Sequence, residues 1–139
     1  MALLVAAVAP GAWLVVAALA FLVLVLALAD GLIAGRLNDL TVTIPPDAEV
    51  GAAHAFVFHA RLGRGSRTRV EAALACDPRL AEGGRCSAAL APEGTAWVGQ
   101  ATFTPSRRGT GAVTAVWLRW TGPLGLGARQ HARGLDQAV

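Results

Sequence analysis

No charged residue occurs before Asp30, and Leu, Val and Ala fill most of residues 1–34. This run limits the chain more than anything that follows it. Crossing the hydrocarbon core of a bilayer takes about 20 mostly apolar residues. Residues 12–29 supply eighteen without a charge, among them six Leu, four Val and one Phe. On the membrane-insertion scale these three residue types sum to roughly −3 to −7 kcal/mol, so one full crossing is expected. Gly31, Leu32, Ile33 and Ala34 extend it past Asp30, which avoids the midplane penalty by lying near the interface. A straight helix over residues 1–29 would be about 43 Å long at ~1.5 Å per residue, longer than the ~30 Å core. Pro10-Gly11 is the expected break. The segment before it is too short to cross alone and reads as a kinked extension or as the tail of a helical hairpin, giving a single- or double-span anchor over residues 1–36.

A secretory signal is the competing reading, because Ala27-Leu28-Ala29 offers a small-residue cleavage site ahead of Asp30. No positively charged segment precedes the run, however, and the run exceeds the roughly 7 to 15 apolar residues of a typical signal.

About 100 residues remain beyond the anchor, the size of one domain with a single core. All twelve basic residues are Arg, against nine acidic residues, for a net charge of +3. The Arg residues are scattered among apolar ones, as on a solvated strand face, and no nucleic-acid partner is expected.

After Arg36 the apolar period changes from helical to alternating, the pattern of half-buried strands. Leu40, Val42 and Ile44 share one face of a first strand, which Pro45-Pro46 ends because neither residue donates to a ladder. Residues 52–62 form a second strand with Phe56, Phe58, Ala60 and Leu62 on one side. After the Gly63-Arg64-Gly65-Ser66 turn, a third carries Val70, Ala72 and Leu74 inward and closes at Cys76-Asp77-Pro78. Residues 85–90 form a short strand, and Ala91-Pro92-Glu93-Gly94 a turn. In residues 95–104, Trp97, Gly99, Ala101 and Phe103 share a face. Residues 112–120 give the strongest alternation, with Val113, Ala115, Trp117 and Arg119 on one side and Thr114, Val116, Leu118 and Trp120 on the other. Gly122-Pro123-Leu124-Gly125 then turns the chain into a last strand over residues 126–131. Six or seven short strands with turn signals every 8 to 12 residues predict a mainly β fold, an antiparallel β-sandwich over residues 37–131. Phe56, Phe58, Val70, Leu74, Val113 and one Trp are its expected core. Residues 132–139 read as the start of a linker or of a further domain.

No catalytic constellation emerges. Cys76 and Cys86 lack the tight spacing of zinc ligands, and His54, His59 and His131 stand in no motif spacing to them. A disulfide between the two cysteines is conceivable in an exported domain. Nucleophilic catalysis needs a base beside an activated Ser or Cys, which Asp77 next to Cys76 does not supply. Gly109-Thr110-Gly111 lacks the third glycine and the helix of a phosphate-binding loop. The expectation is therefore a non-enzyme without cofactor or metal. Trp117 and Trp120 have opposite parity in one strand, so one of them must face away from the core. Trp117, Trp120, Arg107 and Arg108 are the candidate partner contacts, because an exposed indole beside Arg is typical of interaction surfaces.

Four segments in order resemble the N-terminal region of bacterial membrane proteins of domain-of-unknown-function family 58. They are Ala27-Leu28-Ala29-Asp30 at the end of the apolar span, Leu90-Ala91-Pro92-Glu93-Gly94 before a strand, Arg107-Arg108-Gly109 before the next, and Pro123-Leu124-Gly125-Leu126 after it. The resemblance implies a pair of membrane spans, an immunoglobulin-like β-sandwich and a C-terminal domain similar to von Willebrand factor A modules, working beside a MoxR-type AAA+ ATPase. This chain departs from that pattern in a short or missing first span, in Thr110-Gly111 where the family has an aromatic, and in stopping near where the C-terminal domain begins. The expectation is a membrane-anchored, non-catalytic scaffold in the bacterial inner membrane with its domain in the cytoplasm. The partners implied are the lipid bilayer, the ATPase and other membrane proteins. The alternative is an exported periplasmic binding or adhesin-like domain released from a cleaved signal peptide.

Overall fold

The change of period after Arg36 marks the point where helix gives way to sheet. A computed structural model describes residues 12–139 except Ser66, so Pro10-Gly11 and any earlier span lie outside the described residues. Helix α1 covers Ala12–Ile33. Within it residues 13–33 have a mean hydropathy of 2.7, and the helix is long and apolar enough to cross a membrane. Its flanks are bare: only 6% of the most apolar window is buried, and Leu14, Leu19, Phe21, Leu24 and Leu28 are all exposed. A helix apolar on every side needs an apolar environment around it. The helix stops at Gly35, whose φ of 78° is the left-handed conformation that glycine adopts without steric cost. Any Cβ there would lie 2.7 Å from the Arg64 carbonyl oxygen.

Seven antiparallel strands follow: β1 (Leu37–Thr43), β2 (His54–Leu62), β3 (Arg69–Cys76), β4 (Arg85–Glu93), β5 (Ala96–Phe103), β6 (Ala112–Thr121) and β7 (Ala128–Ala138). Their spatial order is β1-β2-β5-β4-β3-β6-β7. Strand β4 belongs to both halves of the sandwich, pairing with β3 through residues 85–90 and with β5 through residues 91–93. The inner faces meet in one core: Phe56, Phe58, Ala60, Ala101 and Phe103 from one half, Val70, Ala72, Leu74, Val113, Val116, Leu118 and Trp120 from the other. Phe56 stacks on Phe103 with ring centroids 4.0 Å apart. The predicted core residues are all buried, and Trp120 is the Trp among them.

Three sequence expectations change. Strand β4 runs on through Ala91, Pro92 and Glu93 instead of turning at Ala91. Pro92 is tolerated because this part of β4 has β5 as its one neighbour, leaving an open edge on which a missing N–H costs little. Strand β6 does not alternate uniformly. Its register on β3 jumps from Cys76↔Val113 to Ala75↔Ala115, a bulge that leaves Thr114 extra and reverses the parity beyond it. Val113 therefore faces inward together with Val116, Leu118 and Trp120, while Ala115, Trp117 and Arg119 point outward. Finally, β7 does not end at His131 but continues to Ala138, with Val113↔Gln137 and Ala112↔Ala138 in register. Residues 132–138 are thus part of the sandwich rather than a linker, and the domain boundary expected at residue 131 moves accordingly. Val139 remains tied to Gly111 by two backbone hydrogen bonds of 2.8 and 3.0 Å.

Candidate functional site

The strand directions gather the β2–β3 loop, the β4–β5 turn and the β6–β7 turn at the end of the sandwich next to α1. Here Asp30, in the last turn of α1, is 1% exposed. Its carboxylate accepts backbone hydrogen bonds from the β6–β7 turn: Leu124 N–H to Oδ1 at 2.7 Å, Leu126 N–H to Oδ2 at 2.8 Å and Gly127 N–H to Oδ2 at 2.9 Å. Three donors to one ionised acceptor make charge-assisted bonds, roughly twice as strong as neutral ones. They also explain an acidic residue at a helix C-terminus, where the dipole alone disfavours it.

The turn fits because it has little side chain. A Cβ on Gly127 would lie 2.5 Å from the Ala27 carbonyl oxygen and from the Gly31 nitrogen, and one on Gly122 would lie 2.5 Å from the Asp30 carboxylate. Arg129 adds the cation that the last turn of α1 itself lacks. Its Nε–H donates to the Gly31 carbonyl at 2.7 Å, a favourable position at the negative end of the helix dipole. The buried Trp120 indole N–H donates to the Gly35 carbonyl at 3.4 Å, and Gly63 N–H donates to the Arg36 carbonyl at 2.7 Å. Helix and sandwich are thus joined by side chain, backbone and close contact at once.

The four candidate contact residues separate. Trp120 is not a surface residue: the β6 bulge turns it into the core, 3% exposed. Trp117 is half-buried on the outer face of β3, β6 and β7, with the Arg85 guanidinium over its ring at 5.9 Å. The two residues, with Glu71 and Arg119, border a groove of about 560 Å³ floored by Ala73, Ala88 and Ala89. Small residues between an indole and long cationic side chains are what make the face concave. Arg107 and Arg108 lie in the β5–β6 loop at the end far from α1, exposed, beside a separate groove that includes Glu49, Pro105 and Val139. The structure therefore does not bring Arg107 and Arg108 together with Trp117.

Cys76 and Cys86 are free and buried. Burial pushes the Cys76 thiol up to about 11, with the neighbouring Cys86 adding to the effect, and burial pushes Cys86 up as well. Thiols so protected are poor nucleophiles. Among the described residues no group of three His, Cys, Asp or Glu side chains could hold a metal ion.

The Asp30 cradle was missed by sequence reasoning, which placed Asp30 only near the interface. The available signal was chemical: Gly122-Pro123-Leu124-Gly125-Leu126-Gly127 offers backbone donors and no polar side chain to satisfy them. No family model matches the chain, and neither the curated proteins nor the solved structures contain a match to it.

Proposed function

We propose that this chain is a membrane-anchored, non-catalytic β-sandwich that acts as a structural and interaction scaffold, with α1 as the span and the sandwich held at a fixed attitude to it. The observation that carries this reading is the Asp30 cradle. A flexible tether would keep a domain near a membrane without three hydrogen bonds and a glycine contact to the helix, so this joint serves orientation rather than mere retention. The strand order supports an immunoglobulin-like topology: taken as A to G, the strands run A-B-E-D then C-F-G, with the fourth shared. The outer face around Trp117 is the partner-contact surface, since a half-buried indole flanked by Arg suits a protein partner. The resemblance assigns the scaffold to a downstream domain and a MoxR-type ATPase. Arg36, close behind the span, supports a cytoplasmic domain at the bacterial inner membrane by the positive-inside rule.

Carbonate washing tests the anchor. The intact protein is expected to stay in the membrane pellet, and removal of residues 1–34 to release the domain. Quantitative release of the intact protein overturns the reading. A mature protein beginning at Asp30 would instead favour the exported alternative.

A further inference from the structure

The β6–β7 turn is fixed beside α1 at a depth that the helix itself defines. Residues 13–33 span about 31 Å at ~1.5 Å per residue, which matches the ~30 Å hydrocarbon core. Asp30 then lies about 4 to 5 Å inside the end of the span, and Ala27 about 9 Å inside. The turn sits at this level: its N–H groups reach Asp30 at 2.7 to 2.9 Å, and Gly127 presses against the backbone of Ala27 and Gly31. Yet the two large side chains of the turn point away from the protein, Leu124 at 63% and Leu126 at 53% exposure. At the same depth Leu28, at 62%, and Leu32, at 69%, are exposed on the side of the helix turned away from Asp30, so apolar side chains face outward on both sides of the junction. Arg36 and Arg64 are exposed at the same end of the sandwich, where lipid phosphates lie just outside an acyl boundary.

We propose that the Gly122–Gly127 turn is a second membrane contact, with Leu124 and Leu126 inserted in the acyl–headgroup boundary of the bilayer that α1 crosses and Asp30 setting their depth. The occupant of this surface is lipid. Apolar side chains held level with the end of a lipid-facing helix meet the same medium as the helix, and the cradle leaves the turn no freedom to retreat toward water. The sandwich is thereby anchored at two points, which fixes its rotation about the helix axis. This inference rests on the membrane-anchor reading above.

The test uses the full chain reconstituted in vesicles of phosphatidylcholine and phosphatidylglycerol at 7:3, with an environment-sensitive fluorophore on one introduced cysteine. Cys76 and Cys86 are buried and stay unlabelled in the folded protein. Labels are placed singly by Leu28→Cys, Leu124→Cys, Leu126→Cys and Gln100→Cys, the last on an exposed position of β5. Quenching is read from bromine on the lipid acyl chains. The expected result is quenching at residues 124 and 126 within about twofold of that at residue 28, at least fivefold above that at residue 100. Adding Asp30→Ala should reduce quenching at residues 124 and 126 at least twofold and leave residue 28 unchanged. Strong quenching at residue 28 with none at either turn position overturns the turn contact while sparing the anchor. Absence of quenching at residue 28 overturns the anchor reading, and this inference with it.

Discussion

The junction with α1 and the outer face around Trp117 carry residues of the same kinds, an acid, Arg and Trp, but use them in opposite ways. At the junction Asp30 spends its carboxylate on three backbone N–H groups, Arg129 donates to a carbonyl, and Trp120 is buried and hydrogen-bonded. On the outer face Arg69 and Glu71 form an exposed ion pair at 2.6 Å, of a kind worth about 0 to 1 kcal/mol, and the half-buried Trp117 has the Arg85 guanidinium over its ring. Side chains whose polar atoms bond to backbone have one geometry, whereas those bonded to solvent or to each other at the surface can be rearranged. On the proposed reading, the junction serves position and the outer face serves contact.

The largest expected effect lies where the junction meets the core. Trp120→Ala removes a buried indole and its bond to the Gly35 carbonyl, and truncation of a buried Trp costs about 3 to 5 kcal/mol. Thermal unfolding of the detergent-solubilised chain should show a loss as large as that of Phe58→Ala, the purely apolar control. An unchanged Tm for Trp120→Ala would mean that the β6 bulge does not turn this residue inward.

Next comes the cradle itself. Gly127→Val places branched carbon where even a Cβ would lie 2.5 Å from helix backbone, so the turn must leave α1. The sandwich should still fold, because the core in which Phe56, Phe58 and Leu118 are fully buried is untouched. Limited proteolysis is expected to show new cleavage near residues 34–37 with the sandwich resistant. Cleavage through the strands as well would make the junction part of the domain's folding core, not a joint.

The strands and the core could be read from alternation, since one face of each strand is apolar and a two-residue period is hard to mistake. Phe56 and Phe58 on β2 and Val70, Ala72 and Leu74 on β3 lie where the period puts them. Reading failed where a local event breaks the period. The extra residue at Thr114 reverses all later positions in β6, and no residue type there announces it. Pro92 misled in the opposite direction, because whether a proline ends a strand depends on how many neighbours that strand has. The end of β7 was hidden by its exposed, polar composition: as an edge strand it buries little, and Leu135 is the one residue of 132–138 packed on the core. The candidate contacts were legible as a pair of opposite parity, but which Trp faced out depended on the bulge. The Asp30 cradle joins residues nearly a hundred positions apart through backbone donors, so no local pattern encodes it.

Titration separates the sandwich core from both regions. The folded-state value of Cys76 is raised from 9.0 to about 11, so the folded protein holds this proton more tightly than the unfolded chain. The associated stability is complete below pH 9 and is lost as pH rises from about 9 to about 11. Denaturant midpoints measured across this interval should fall for the wild-type chain and fall less for Cys76→Ala. Equal slopes for the two proteins would mean that Cys76 ionises as freely in the folded state as in the unfolded chain. Because both thiols are buried, an impermeant maleimide that leaves them unmodified in intact cells says nothing about which side of the membrane the domain occupies. Gln100→Cys, on the exposed face of β5, is the reporter for sidedness: a cytoplasmic domain predicts no labelling before lysis, and labelling of intact cells would place the sandwich outside.

The smallest effect on stability is expected at Trp117. It sits three residues before Trp120 on the same strand, half-buried rather than buried, and its distinct interaction is the cation–π contact with Arg85 at 5.9 Å. Such a contact is worth about 0.5 to 1 kcal/mol at an exposed site, so Trp117→Ala should lower stability by about 1 kcal/mol, well short of the loss for Trp120→Ala. The outer face makes the opposite forecast for binding. With the indole gone the groove loses its one large apolar wall, and crosslinking of the membrane-embedded chain to its protein neighbours through a photoreactive group at residue 87, on the groove's rim, should fall several-fold. A Trp117→Ala chain that unfolds as readily as Trp120→Ala, yet keeps its crosslinks, would make Trp117 a packing residue and leave the outer face without a role in contact.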